Sequence, residues 1–203
     1  MSSLFLDTYN EIVQESETSL RERGSRFLAC SFKVFSETEV KEKLQILKSK
    51  YPDATHHCYA YVIGQGQEAQ RANDDGEPSN SAGRPILRAI ISADVTNVLV
   101  VVVRYFGGTM LGIPGLIQAY GDAAKGVLLI SEKTQKIQED IFEIIANFEH
   151  EQLIHQLLKP YDHRVVAREY LENVQYKVSV RRNQAMQFLS KAEEAYLLQV
   201  KSV

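Results

Sequence analysis

The sequence predicts an α+β protein of two domains, residues 1–131 and 136–203. Three observations predict it. The run Val98-Leu99-Val100-Val101-Val102-Val103 is almost wholly β-branched, which marks a strand buried on both faces at the centre of a sheet. Ser36-Glu37-Thr38-Glu39 is a capping box, opening an amphipathic helix. Beyond the polar, aperiodic stretch 131–135 the pattern changes to β-α-β-β-α-β, the ferredoxin-like order.

Element by element, residues 10–16 and 26–34 read as strands. The polar segment 17–24 between them ends in Gly24 and reads as a hairpin loop. Val40, Leu44, Leu47 and Tyr51 recur at helical spacing, so a helix covers 37–50, with Phe35 and Val40 at the hydrophobic-staple positions. A strand at 55–63 is followed by a flexible, Gly- and Gln-rich loop at 64–73. Residues 82–93 form a helix in which Pro85 is tolerated only in the first turn, with Ser79 or Ser81 as its N-cap. The valine strand covers 97–104. A glycine turn then leads into a helix from about 114 to 129 that packs through Leu116, Ala119, Tyr120, Ala123 and Val127.

In the second domain 136–148 is a strand, and 149–159 is a helix with Leu153, Leu157 and Leu158 inward, ended by Pro160. Residues 164–170 and 174–180 are strands. Ala185, Phe188, Leu189 and Ala192 mark the inner face of a helix at 184–195, and 197–203 closes the sheet.

Composition narrows the function classes. The net charge is −3, with −2 on residues 1–131 and −1 on 132–203, so neither domain is a basic module. Arg21, Arg23, Arg26 and the pair Arg181-Arg182 read as solvated charges. No apolar run approaches the roughly 20 residues of a membrane span, and residues 1–11 lack the pattern of a signal peptide. A cytoplasmic protein with no membrane contact is the expectation. The only cysteines, Cys30 and Cys58, lie in strand-like runs without metal-ligand spacing and read as buried thiols.

Two stretches carry chemistry. Asp74, Asp75 and Glu77 crowd an acidic loop that can bind magnesium, supply an acid and a base, or stabilise the start of the following helix. Arg104 ends the buried strand, and Gly107, Gly108 and Gly112 follow it into a helix. That resembles an anion-binding turn, but it matches neither a P-loop nor a dinucleotide fingerprint. His56 and His57 are adjacent in a strand, so they face opposite sides and cannot share a metal. The acidic loop and Arg104 are expected to meet at one end of the first sheet. The candidate ligand or partner site is Asp74, Asp75, Glu77, Ser81, Gly83, Arg84, His57, Arg104, Tyr105, Gly107, Gly108 and Gly112. No catalytic residue, metal site or cofactor is assigned.

At these residues the chain resembles the YigZ/IMPACT family. The resemblance rests on Pro52-Asp53-Ala54-Thr55-His56-His57-Cys58, Asp74-Asp75-Gly76-Glu77-Pro78, Ser81-Ala82-Gly83-Arg84-Pro85-Ile86-Leu87, and Val102-Val103-Arg104-Tyr105-Phe106-Gly107-Gly108 with Leu111-Gly112. Gly115-Leu116 and Ala119-Tyr120-Gly121 extend it, and Gly24-Ser25-Arg26-Phe27 resembles the entry strand. Thr109-Met110 and Ile113-Pro114 depart from the common pattern. The resemblance implies a first domain with the fold of ribosomal-protein and elongation-factor βαβ domains, and a second like those late in elongation factor G. It also implies a non-enzymatic regulator of translation or stress response whose partner is the translation machinery, a protein or an RNA. Eukaryotic relatives regulate translation in amino-acid starvation through an additional N-terminal domain that this chain does not show. Proline dipeptidase activity, ascribed to some members, finds no metal-ligand set here. Two other readings stay open from the residues: a hydrolase or binder of a small anionic ligand using the glycine turn after Arg104, and an RNA-binding protein acting through the second domain.

Overall fold

The computed structural model of the protein describes residues 7–203; the first six residues, part of the 1–11 segment read above, lie outside the described residues. The chain forms two compact units, Tyr9–Lys136 and Ile137–Val203, the latter joined by Asp7 and Thr8.

The first unit runs β1 (Thr8–Ile12), β2 (Ser16–Glu22), β3 (Ser25–Lys33), α1 (Glu37–Lys50), β4 (His56–Ile63), β5 (Ala69–Asn73), α2 (Gly83–Ser92), β6 (Val98–Tyr105), α3 (Gly112–Ile130) and β7 (Lys133–Ile137). Five strands form one antiparallel sheet in the order β2-β3-β6-β4-β5, and β1 pairs with β7. The valine run is the central strand β6. Both its faces are buried, although the sheet is antiparallel, because helices cover both sides. Val98, Val100 and Val102 pack with Ile86 and Ile90 of α2 and with Leu116, Tyr120 and Val127 of α3. Leu99, Val101 and Val103 pack with Val40 and Leu47 of α1.

Helix α1 begins on half of its capping box: the Ser36 side chain caps as expected, while Glu39 takes the amide one residue before the N-cap's own. Ser36 Oγ accepts from the Glu39 amide at 3.2 Å, and Glu39 reaches back to the Phe35 amide at 2.9 Å. The staple does not close, because Phe35 stays 55% exposed beneath Lys33 while Val40 turns into the core.

Three polar segments are corrected. The supposed hairpin loop 17–24 is mostly strand β2, paired with β3 through to Glu22↔Ser25, and only Arg23-Gly24 turns. Within the supposed flexible loop 64–73, Ala69–Asn73 is edge strand β5. Lys133–Ile137 is strand β7, within and beyond the polar, aperiodic stretch 131–135 read as a domain boundary, and the strand expected over 136–148 starts at Glu139. Each is an edge or ribbon strand with polar side chains on both faces. Its backbone is satisfied by a distant partner, which leaves no hydrophobic period to read.

The second unit runs β8 (Glu139–Ala146), a 3-10 turn at Phe148–His150, α4 (Glu151–Leu158), β9 (His163–Tyr170), β10 (Val174–Arg181), α5 (Arg182–Glu194) and β11 (Gln199–Ser202). Its antiparallel sheet has the order β11-β8-β10-β9. Ile154, Leu157 and Leu158 of α4 and Ala185, Phe188 and Ala192 of α5 cover Phe142, Ile144, Tyr176 and Val178. Asp7 is buried, and the Arg181 guanidinium grips it through Nε at 2.5 Å and Nη2 at 3.0 Å. That hydrogen-bonded cation holds the Asp7 carboxyl below its ordinary range. Among the described residues no helix is long and apolar enough to cross a membrane.

Leu99→Ala should cost about 2–5 kcal/mol, since it empties a fully buried site between β6 and α1. Val165→Ala on exposed β9 should stay within about 0.5 kcal/mol. Urea denaturation followed by circular dichroism checks both, and equal losses would contradict the central position of β6.

Candidate functional site

The register that buries the valines also places Arg104. It lies opposite Phe27 on β3 and His56 on β4, one step beyond Val102 on the face that carries α2 and α3. Its guanidinium sits between the Phe27 and Phe106 rings, 5.4 and 5.5 Å from their centroids. Glu77 meets it there. Arg104 Nη1 donates to Glu77 Oε1 at 2.6 Å, and the residues are only 5% and 9% exposed. The expectation that the acidic loop and Arg104 meet at one end of the sheet therefore holds in the geometry.

The same carboxylate oxygen accepts from the Tyr120 hydroxyl of α3 at 2.7 Å. Tyr120 packs edge-on against Phe27, and its oxygen lies 3.3 Å from Cys58 Sγ, whose thiol is 3.0 Å from the Asp74 carbonyl. Burial pushes both the Cys58 thiol and the Tyr120 phenol well above their ordinary values, so both stay protonated. Arg104 Nη2 also donates to Ser25 Oγ at 3.3 Å.

The acidic loop is shaped by local turn chemistry. Asp75 and Gly76 both have positive φ, +42° and +89°, and the Glu77 amide donates to the Asp74 carbonyl at 2.9 Å. Asp-Gly is the pair such a turn favours. Asp74 then caps α2 from outside the helix. Its Oδ1 accepts from the Ala82 and Gly83 amides at 3.0 and 2.8 Å, and Oδ2 from the Asn80 amide at 2.8 Å. This corrects the N-cap expectation: Ser79 and Ser81 do not cap, and Ser81 Oγ donates to the Pro78 carbonyl at 2.6 Å. A side chain at Gly83 would stand 2.5 Å from the Asn73 amide nitrogen, so only glycine lets α2 start against β5.

Asp75 Oδ2 accepts from the His57 amide at 2.6 Å, and its other oxygen lies 3.7 Å from Lys48 Nζ. The two histidines split as alternation requires. His56 Nδ1 donates to the Asp75 carbonyl at 2.8 Å, and Nε2 lies 3.8 Å from Glu77. The His57 ring, placed in the site from sequence, is turned instead to the α1 side, near the ends of Leu47 and Tyr51, where burial lowers its pKa. Tyr105 likewise faces α1, donating to Asp53 at 3.2 Å.

The glycine turn is less open than its sequence suggests. The Phe106 amide donates to Thr55 Oγ1 at 3.1 Å and the Gly107 amide to Ser25 Oγ at 3.2 Å, so both are already engaged. Gly107 rests on Gly24, where any side chain would enter backbone. Gly108 has φ +87° and faces open space, and Gly112 opens α3 at φ +67°. Arg84 is not drawn in; it stands exposed on the first turn of α2. Tyr120, Cys58, Ser25 and His56 are the members of the network that the candidate set lacked. All four lie within the motifs that carry the family resemblance, and the helical period places Tyr120 on the packed face of α3, but neither signal assigns them to the site. Among the described residues no cluster of three or more His, Cys, Asp or Glu is arranged to hold a metal.

The chain is similar to known proteins. Residues 23–128 match the family model described as the Impact N-terminal domain. The IMPACT family member YvyE of Bacillus subtilis is 34% identical, over 90% of this chain and 84% of its own. The IMPACT family member YigZ of Escherichia coli is 31% identical, over 83% of this chain and 84% of its own. A crystal structure of a hypothetical protein, 25% identical, superposes with a TM-score of 0.71 and covers 97% of each chain.

Glu77→Ala and Arg104→Ala should each destabilise the protein by about 3–5 kcal/mol, since each strands a buried charge. The double variant should lose much less than the sum of the two. A strictly additive double-mutant cycle in urea would contradict the pairing. A second expectation follows from His57. Its folded pKa lies below the unfolded value near 6.5, so the unfolded chain binds the proton more readily, and stability falls as pH drops below about 6.5. Melting temperatures from pH 7.5 to 5.5 should fall less in His57→Phe than in wild type. Parallel curves would show that His57 does not titrate on unfolding.

Proposed function

The chain belongs to the IMPACT family, and from that premise we propose that it is a non-enzymatic regulator of translation that works by binding a protein partner of the translation machinery. The observation that carries the non-enzymatic part is the fate of Glu77. Its Oε1 accepts from both Arg104 and Tyr120 in a site sealed by Phe27, so the residue that resembles a general base is spent holding the fold. The motif residues brace a surface rather than present a reactive group.

In this reading the β8–β11 unit is a ferredoxin-like module, and residues 9–136 are a module of the ribosomal-protein and elongation-factor type. The role in translation that the family resemblance implies supports the assignment. The net negative charge of both parts argues for a protein partner over bulk nucleic-acid binding.

The test is co-sedimentation of the tagged protein with ribosomal fractions from lysate at low and moderate salt, together with the bulk translation rate of a deletion strain under amino-acid starvation. Association that survives moderate salt, with an altered translation rate on deletion, is the expected result. Protein left wholly in the soluble fraction, with translation unchanged on deletion, would overturn the proposal.

A further inference from the structure

The second unit carries a cluster of rings at the edge of its core. Glu151 opens α4, and its Oε1 accepts from the Tyr170 and Tyr176 hydroxyls, each at 2.8 Å, and from Nη2 of Arg168. The Arg168 guanidinium lies over both tyrosines, 4.8 Å from the Tyr170 centroid and 5.0 Å from that of Tyr176. Phe148, from the turn before α4, continues the stack. Its ring lies within 6° of parallel to Tyr170, with the centroids 6.3 Å apart. Tyr176 is buried, but Phe148 and Tyr170 stay 52% and 51% exposed, and Leu171 next to them in the chain is exposed as well. Glu151 and Arg168 thus fix two outer rings that keep half their surface in water.

The charges around these rings are mostly of one sign. Residues 148–151 and 168–172 hold four acids, Glu149, Glu151, Glu169 and Glu172, against one base, Arg168, a balance of −3 with histidine neutral. Arg168 and Glu151 are matched to each other. Glu149, beside Phe148 in the chain, meets only His150, at 3.5 Å. Glu172 lies in the connection just past Tyr170, the last β9 residue paired with β10, and makes no ion pair among the described residues. Glu169 belongs to the other face of β9.

We propose that this ledge docks a basic segment of a protein partner, through an arginine stacked on the exposed Phe148 and Tyr170 rings with its charge met by Glu149 and Glu172. A guanidinium is planar and weakly hydrated, so it stacks on aromatic faces that an ammonium fits less well. The chain uses the same contact internally, where Arg168 covers Tyr170. Acids at the rim select a cationic partner and orient it, and exposed aromatic rings are the residue type enriched at protein interfaces. Single-stranded RNA also stacks on rings, but its phosphates would face the surplus of carboxylates here. The proposal rests on the protein-partner reading above and names the face and the chemistry of that partner.

The experiment is titration of the full, isotope-labelled chain, followed by amide chemical shifts, with four probes. Three are short peptides that alternate glycine with arginine, with lysine or with glutamate; the fourth is oligouridine RNA. The arginine peptide should shift amides of residues 147–151 and 168–173. The lysine peptide should bind about threefold more weakly, and the glutamate peptide not at all. The arginine peptide should bind about tenfold more weakly to E149K/E172K and without measurable affinity to Phe148→Ser. These are exposed positions, and unchanged spectra elsewhere report that both variants fold.

Arginine and lysine peptides binding equally, shifts confined to other surfaces, undiminished binding to Phe148→Ser, or no binding at all would each overturn the proposal. Oligouridine displacing the arginine peptide from this face would replace it with an RNA site. Should the peptide fail while wild type and E149K/E172K co-sediment alike with ribosomes, the docking face is wrong and the regulatory reading stands. Loss of co-sedimentation in E149K/E172K, alongside arginine-peptide binding to wild type, supports both.

Discussion

The ion pair between Glu77 and Arg104 is the constraint on which the first unit is arranged. Two charges removed from water are costly unless close and fully hydrogen-bonded. Here the cost is offset by a 2.6 Å contact, a second donor from Tyr120, and two aromatic rings flanking the guanidinium. A buried pair of this kind adds little net stability, but it tolerates few alternative positions. It binds the end of the central strand to the acidic loop and, through Tyr120, to α3. Cys58 links β4 to the same cluster.

With the loop held in that way, its remaining acids set the neighbouring backbone. Asp74 satisfies the first amides of α2, and Asp75 satisfies an amide of β4. Two glycines permit the close approaches this requires, Gly83 on Asn73 and Gly107 on Gly24. The charged motif is consequently turned inward. The chemistry of the motif serves the rigidity of this end of the sheet.

Much of the fold was legible from pattern. The capping box and apolar period locate α1 at Glu37–Lys50, and the valine run locates the sheet's central strand. The inner face of α5 follows from Ala185, Phe188 and Ala192. Strands β2, β5 and β7 were not legible. Seven-residue β2, for example, carries a single large apolar residue, Leu20, and owes its strand state to pairing with β3. The meeting of Arg104 with the acidic loop was legible because both flank the ends of adjacent elements. The choice of His56 over His57 as the residue beside Glu77 was not, since alternation says only that the two diverge.

The sequence by itself determined the elements with a strong hydrophobic period, the Asp-Gly and glycine-rich turns, and the motifs that mark the family. Those signals are local, carried by residues a few positions apart. Only the tertiary structure decided which polar groups are consumed and which remain available. Glu77 finds Arg104 across 27 positions and Tyr120 across 43, and Ser25 reaches Arg104 across 79. Partnerships at that range depend on sheet register and helix packing, and no local spacing encodes them. For the same reason Arg84, one residue from a glycine that is locked against β5, ends in solvent while Arg104 ends in the core.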